Sequence, residues 1–119
     1  MKLVQAYIHD IRTAQVVQAL RDLGHRNLSL IEVVGTLRPV SDYEEHYAGR
    51  NDASLIQEVR LELACADGDV ERVTEAIRAK GPIGPQISGW IYVSPIEVVV
   101  PIGKLRDAST LAAPAGKAT

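Results

Sequence analysis

Cysteine occurs once in the 119 residues, as Cys65, which excludes a disulfide framework and a spaced cysteine set for zinc and fits a reducing compartment. The 13 Lys and Arg are nearly matched by 15 Asp and Glu, for a net charge of -2. No basic cluster reaches the size that nucleic acid or anionic lipid requires, so no nucleic-acid partner is expected. Long apolar runs are missing too. The opening Met1–Ile8 turns polar at His9-Asp10 and is too short and too polar for a signal peptide or a membrane span. A soluble, cytoplasmic protein without direct membrane insertion is the expectation. No grouping of serine, histidine and carboxylate points to a triad, so no catalytic residues are expected. His46 with Glu44 and Glu45 does not fix a metal geometry, and neither a metal nor a cofactor is expected. His9 and His25 read as surface residues at element ends, and Cys65 as a buried structural thiol.

What is present is enough chain for one domain with a single core. Leu3 to Ile8 alternates Val4, Ala6 and Ile8 against Leu3, Gln5 and Tyr7, as a strand with one face on a core does. Thr13 is a candidate N-cap for a helix carrying Val16, Val17, Leu20 and Leu23 and closed by Gly24. Leu28–Leu37 is rich in β-branched and aliphatic residues, and Leu55–Cys65 alternates Val59, Leu61, Leu63 and Cys65 against Arg60, Glu62 and Ala64. These two segments read as strands of an extended hairpin. Asp69 is positioned to cap a second helix with Val70, Val73 and Ile77 on one face, which Gly81-Pro82 ends. A last strand is expected from Trp90 to Val100, with Pro95 at a bulge or edge position.

Strand, helix, strand, strand, helix, strand is the split βαβ order. It predicts an α+β, ferredoxin-like domain over residues 1–106, with a four-stranded antiparallel sheet and two helices on one face. Residues 107–119, without periodicity, read as a flexible tail. Helices on one face leave the other bare, yet Leu3, Tyr7, Ile31, Val33, Val98 and Val100 cannot all point toward the helices. Other copies of the chain in a closed symmetric oligomer would cover that second face.

Between the hairpin strands lies a polar loop from Pro39 to Ser54, longer than compact domains normally carry without a functional reason. Glu32-Val33-Val34-Gly35-Thr36-Leu37-Arg38 launches it, placing a glycine and then an arginine where strand gives way to loop. Glycine lets backbone approach a ligand closely, so this junction reads as the edge of a ligand site. A second stretch, Gly81-Pro82-Ile83-Gly84-Pro85-Gln86-Ile87-Ser88-Gly89-Trp90, places three glycines and two prolines between the second helix and the last strand. It fits either an ordinary helix-ending turn or a loop exposing backbone amides to an anion.

Those two stretches, with Met1-Lys2-Leu3-Val4, Val59-Arg60-Leu61-Glu62-Leu63 and Ile91-Tyr92-Val93-Ser94-Pro95-Ile96-Glu97-Val98, resemble the PII signalling proteins over about Met1 to Ile102. The resemblance implies a homotrimer that binds adenine nucleotides in inter-subunit clefts and docks a client through the loop between strands two and three. It places Gly35, Thr36 and Arg38 beside the phosphates, and Ser29, Glu62 and Ala64 along the adenine and ribose pocket. Gly84, Ser88, Gly89 and Trp90 fall in the phosphate loop. Tyr43, His46, Tyr47 and Arg50 fall in the docking loop, where the tyrosine that some members modify is replaced by Asn51.

Departures from the family pattern narrow the expectation. Trp90 stands for a lysine, Pro101 and Gly103 for two arginines, and Ser88 for an aspartate. Each missing charge-assisted contact removes roughly 1.5–3 kcal/mol from phosphate binding, so ADP or AMP is favoured over ATP. Pro39 replaces a magnesium- and keto-acid-binding glutamine, and Glu58 replaces the lysine that pairs with 2-oxoglutarate, so sensing of that acid is not expected. The chain looks more like the divergent PII-like proteins associated with bicarbonate transporters or carbon-fixing compartments, which respond to ADP or AMP, sometimes with a small anion such as bicarbonate. The implied client is a transporter, an enzyme or a regulatory protein. Two other readings share the fold: an ACT-type module that binds free amino acids, and a small ferredoxin-like enzyme with His9 as its candidate residue.

Overall fold

The computed structural model describes residues 1–37 and 55–103. The expected docking loop at 39–54, with Arg38, and the expected tail at 107–119 lie outside the described residues.

Four strands and two helices form in the expected order: β1 (Lys2–His9), α1 (Thr13–Asp22), β2 (Ser29–Gly35), β3 (Ile56–Cys65), α2 (Val70–Lys80) and β4 (Trp90–Pro95). The sheet runs β2-β3-β1-β4 with every neighbour antiparallel, which is the ferredoxin-like arrangement. β2 and β3 pair from Ser29↔Glu62 to Gly35↔Ile56, so the long loop springs from the open end of this hairpin.

The core lies on the helix side of the sheet. Val4, Ala6 and Ile8 of β1 and Val59, Leu61, Leu63 and Cys65 of β3 meet Val16 and Leu20 of α1 and Val73 and Ile77 of α2. Each is a residue that period-two or helical spacing had turned inward. Burying such a side chain contributes roughly 1.5–3 kcal/mol, which explains why the pattern determines the face.

Four expectations are corrected. Thr13 and Asp69 do not cap through their side chains: each helix is entered from a short 3-10 turn, Asp10–Arg12 before α1 and Asp67–Asp69 before α2. Asp69 instead pairs with Arg72 one turn on, and its burial suits that partner. The last strand stops at Pro95 rather than Val100. The amide of Ile96 makes one further bond to the Met1 carbonyl at 3.1 Å, and Val98, Val100 and Ile102 then run exposed. Pro95 stands opposite Lys2, the first residue of β1, so past the Ile96 bond there is no further β1 strand to pair with. Finally, His9 and His25 are buried, not at the surface.

Candidate functional site

The register of the four strands sorts the side chains opposite the helices into rows. Ser29, Glu62, Gln5 and Tyr92 form one row across the sheet, Ile31, Arg60, Tyr7 and Trp90 the next, and Val33, Glu58 and His9 a third, nearest the loop. This face carries the polar and aromatic chemistry that the core face lacks.

In the first row the Gln5 amide donates to Glu62 Oε2 at 2.7 Å, and Arg60 Nε lies 3.0 Å from the same oxygen. The Arg60 guanidinium is held above its usual range chiefly by a hydrogen bond to Tyr7, with burial opposing and the Glu62 charge assisting. Tyr7 in turn meets the Tyr92 ring edge-on, with centroids 5.9 Å apart. Gln5, Glu62, Arg60, Tyr7 and Tyr92 therefore form one interlocked cluster across three strands, and each member limits the rotamers of the next.

The third row holds a buried carboxylate. Glu58 is 4% exposed, and its Oε2 accepts the Leu37 amide N–H at 2.9 Å. This bond ties the first turn of the loop to β3. A Cβ built on Gly35 would overlap the Glu58 carboxylate, so glycine here is what lets that group lie flat against β2. Tyr7, Gly35, Thr36, Glu58, Trp90 and Tyr92 border a concavity of about 600 Å³ at the base of the loop.

A smaller hollow of about 260 Å³ lies on the helix side, between Ile77 and Gly81 at the end of α2 and the segment Gln86–Ile91. That segment is shaped by Ser88. The Ile83 amide donates to Ser88 Oγ at 2.9 Å, and the hydroxyl lies 3.1 Å from the Gln86 carbonyl and 3.2 Å from that of Ile83. The serine thus folds residues 83–88 into a closed turn, with Gly84 at a φ of +76°. At Gly89 a Cβ would strike the Tyr7 carbonyl, so the chain must be bare there to enter the sheet beside β1.

The residues singled out in the sequence fall into two groups. Gly35, Thr36 and Trp90 share the concavity at the loop base, with Ser88 and Gly89 leading into Trp90. Ser29 and Glu62 face one another across the far end of the hairpin, and Ala64 follows on the same face. β2 spans seven residues, so at ~3.3 Å each Gly35 at the loop base and Ser29 at the far end of the hairpin stand about 20 Å apart. Gly84 is exposed in its turn and takes no part in either group. Tyr43, His46, Tyr47 and Arg50, like Arg38, lie outside the described residues. The spacing argument missed Glu58 and Tyr92 as wall residues and Tyr7 as more than cover, because their convergence depends on register between strands.

Among the described residues no group of three His, Cys, Asp or Glu side chains gathers into a metal-binding cluster, and no helix is long and apolar enough to cross a membrane.

Comparison with known proteins agrees with this architecture. The family model "Nitrogen regulatory protein P-II" matches residues 1–105. Proteins named nitrogen regulatory protein P-II from Azospirillum brasilense and Rhizobium meliloti are each 29% identical over 102 residues, covering 86% of this chain and 91% of each relative. One from Rhizobium etli is 31% identical over the same length and coverage. With a match along nearly the whole described chain, on a sheet of the order and register set out above, this protein belongs to the nitrogen regulatory protein P-II family and is a regulatory protein of that type.

Proposed function

We propose that the chain is a non-catalytic signal-transduction protein that works as a cytoplasmic homotrimer. An adenine nucleotide, ADP or AMP in preference to ATP, binds between subunits, with or without a small anion such as bicarbonate beside it. Its occupancy sets what the loop at 39–54 can grip on a client transporter, enzyme or regulatory protein. Ordering loop residues costs about 1–2 kcal/mol each, so the ligand must touch the loop's base to shift it.

The observation that carries this reading is the separation of the two residue groups along β2. A nucleoside diphosphate is too short to reach from Gly35 and Thr36 to Ser29 and Glu62 of the same chain. Apposed copies bring the loop base of one against the far hairpin end of the next. The surface is suited to such apposition: Trp90 and Tyr92 on the open face are each 54% exposed, and Val98, Val100 and Ile102 beyond the end of β4 are exposed as well. Covering these groups would contribute roughly 1.5–3 kcal/mol apiece.

The preference among nucleotides follows from charge. Trp90, Pro101 and Gly103 supply no cation where the family resemblance places three, and the buried Glu58 adds a negative charge beside Thr36 and Leu37. Both features work against a terminal phosphate and against 2-oxoglutarate.

Calorimetry with ATP, ADP, AMP, cyclic AMP, 2-oxoglutarate and bicarbonate, beside a solution mass, tests the proposal. The expected result is a trimer that gives heat with ADP and AMP and none with 2-oxoglutarate. Arg38→Ala should weaken ADP by about 10- to 100-fold, the loss of one charge-assisted contact. Single chains at micromolar concentration with no heat from any adenosine compound would overturn it.

A further inference from the structure

We propose that Glu58 is a built-in competitor for phosphate: its carboxylate and a nucleotide phosphate contend for the Leu37 amide, and the phosphate binds by taking that donor. This inference rests on the nucleotide reading above and states how the same site is regulated. A carboxylate and a phosphate offer a backbone N–H the same thing, an anionic oxygen that accepts a charge-assisted bond. Glu58 Oε2 accepts the Leu37 N–H at 2.9 Å. One N–H has one proton to share, so a second anion gains its bond only as the first gives it up.

The arrangement around this bond is specific to Glu58. Gly35, Thr36 and Leu37 line the hollow at the loop base together with Glu58, so the contested donor lies where the phosphates are proposed to enter. The carboxylate is buried and fills the space that a Cβ on Gly35 would need. Glu62, on the same face of the same strand, turns instead to Gln5 and Arg60. The open face therefore does not by itself fold a glutamate toward β2; Gly35 and the Leu37 amide draw Glu58 there. His9, also buried, stands opposite Glu58 in the β1–β3 register. Opposite residues on paired strands have Cβ atoms about 5 Å apart, so a carboxylate that leaves the amide still has an imidazole beside it. The exchange of one anion for another at Leu37 links occupancy of the site to the backbone of the loop's first turn.

Two variants of the full-length protein separate competition from plain repulsion between anions. Glu58→Asp keeps the charge but is too short to reach Leu37, whereas Glu58→Gln keeps the reach and an accepting oxygen but loses the charge. Calorimetry with ADP and amide exchange at Leu37 without nucleotide are the readouts. Glu58→Asp should speed Leu37 exchange and tighten ADP about tenfold or more, the worth of one charge-assisted bond. Glu58→Gln should keep Leu37 protected and tighten ADP only about threefold, since a neutral acceptor competes less strongly. Repulsion alone predicts the reverse order, with Glu58→Gln the tighter binder and Glu58→Asp equal to wild type, and that result overturns the proposal. Unchanged Leu37 exchange in Glu58→Asp overturns it as well. If Glu58→Asp fails to fold, Glu58→Ala replaces it: ADP binding tighter than in Glu58→Gln supports competition, and equal binding ends it. ADP heat from wild type with no gain in Glu58→Asp leaves the nucleotide reading standing and sinks this one. Silence toward ADP from wild type and every variant sinks both, while heat from Glu58→Asp alone is the strongest form of the competition.

Discussion

The two faces of the one sheet are built from alternate residues of the same strands, yet they differ in almost every property. In β3 the inward set is Val59, Leu61, Leu63 and Cys65, all buried against helices, while the outward set is Glu58, Arg60, Glu62 and Ala64. The inward set works by volume and the outward set by charge and hydrogen bonding. Substitutions should therefore cost stability on one side and recognition on the other. The largest expected effect is at Leu61, fully buried at the centre of the core: Leu61→Ala should lower unfolding free energy by about 2–5 kcal/mol in urea titration. Tyr92→Ala, at a half-exposed ring whose recorded aromatic partner is Tyr7, should cost no more than about 0.5–1.5 kcal/mol in dilute solution. Equal costs at every protein concentration would erase the contrast. A Tyr92→Ala cost that grows with concentration would sharpen it, because only assembly makes the open face interior.

Glycine provides a second, finer comparison. A Cβ at Gly89 meets the Tyr7 carbonyl, which belongs to the sheet and cannot swing aside, whereas a Cβ at Gly35 meets the end of the Glu58 side chain. Gly89→Ala should cost about 1–3 kcal/mol as overpacking against fixed backbone. Gly35→Ala should cost less, since the carboxylate can rotate away, but it should break the Leu37–Glu58 bond and loosen the loop base. Thermal melts rank the two, and amide exchange at Leu37 detects the local effect. The comparison fails if Gly35→Ala is the more destabilising or leaves Leu37 protected.

That asymmetry also explains what was legible in the sequence. Burial gives every inward residue the same requirement, apolarity at fixed spacing, so Val4, Ala6, Ile8, Leu61 and Leu63 announced the strands, the helices and with them the fold. The outward residues obey no common requirement. Nothing in Gln57-Glu58-Val59 says that Glu58 is buried, because its cover comes from Gly35 and Leu37, over twenty positions earlier, through the β2–β3 register. His9 was misplaced for a similar reason: as the last residue of β1 it reads as an edge, but it stands opposite Glu58 within the sheet. Caps failed locally. Thr13 and Asp69 have the right chemistry and position, but the preceding 3-10 turns already satisfy the helix starts through backbone. The last strand was overrun because alternation continues through Val98 and Val100 while the partner, β1, begins at Lys2.

The smallest expected effect concerns the single titratable group that the inward set of β3 carries. Burial pushes the Cys65 thiol above its ordinary range; Asp69 and Asp67 add to the shift, and the N-terminal ammonium opposes it. A raised folded-state value means that the thiol's contribution to stability is complete below the unfolded value and is lost as pH rises toward the folded one. Wild-type stability should thus fall through the alkaline range, starting near the unperturbed thiol range, with a slope from this group of at most about 1.4 kcal/mol per pH unit. Cys65→Ala should remove that component of the slope, at the separate cost of a small cavity that does not depend on pH. Urea midpoints of both proteins from pH 7 to 10 make the test, with the thiol in the native state also expected to react slowly with a disulfide reagent. Identical slopes would mean that Cys65 reaches water as readily folded as unfolded, and the core face would then not be the dry, charge-free counterpart to the Glu58 and Arg60 face.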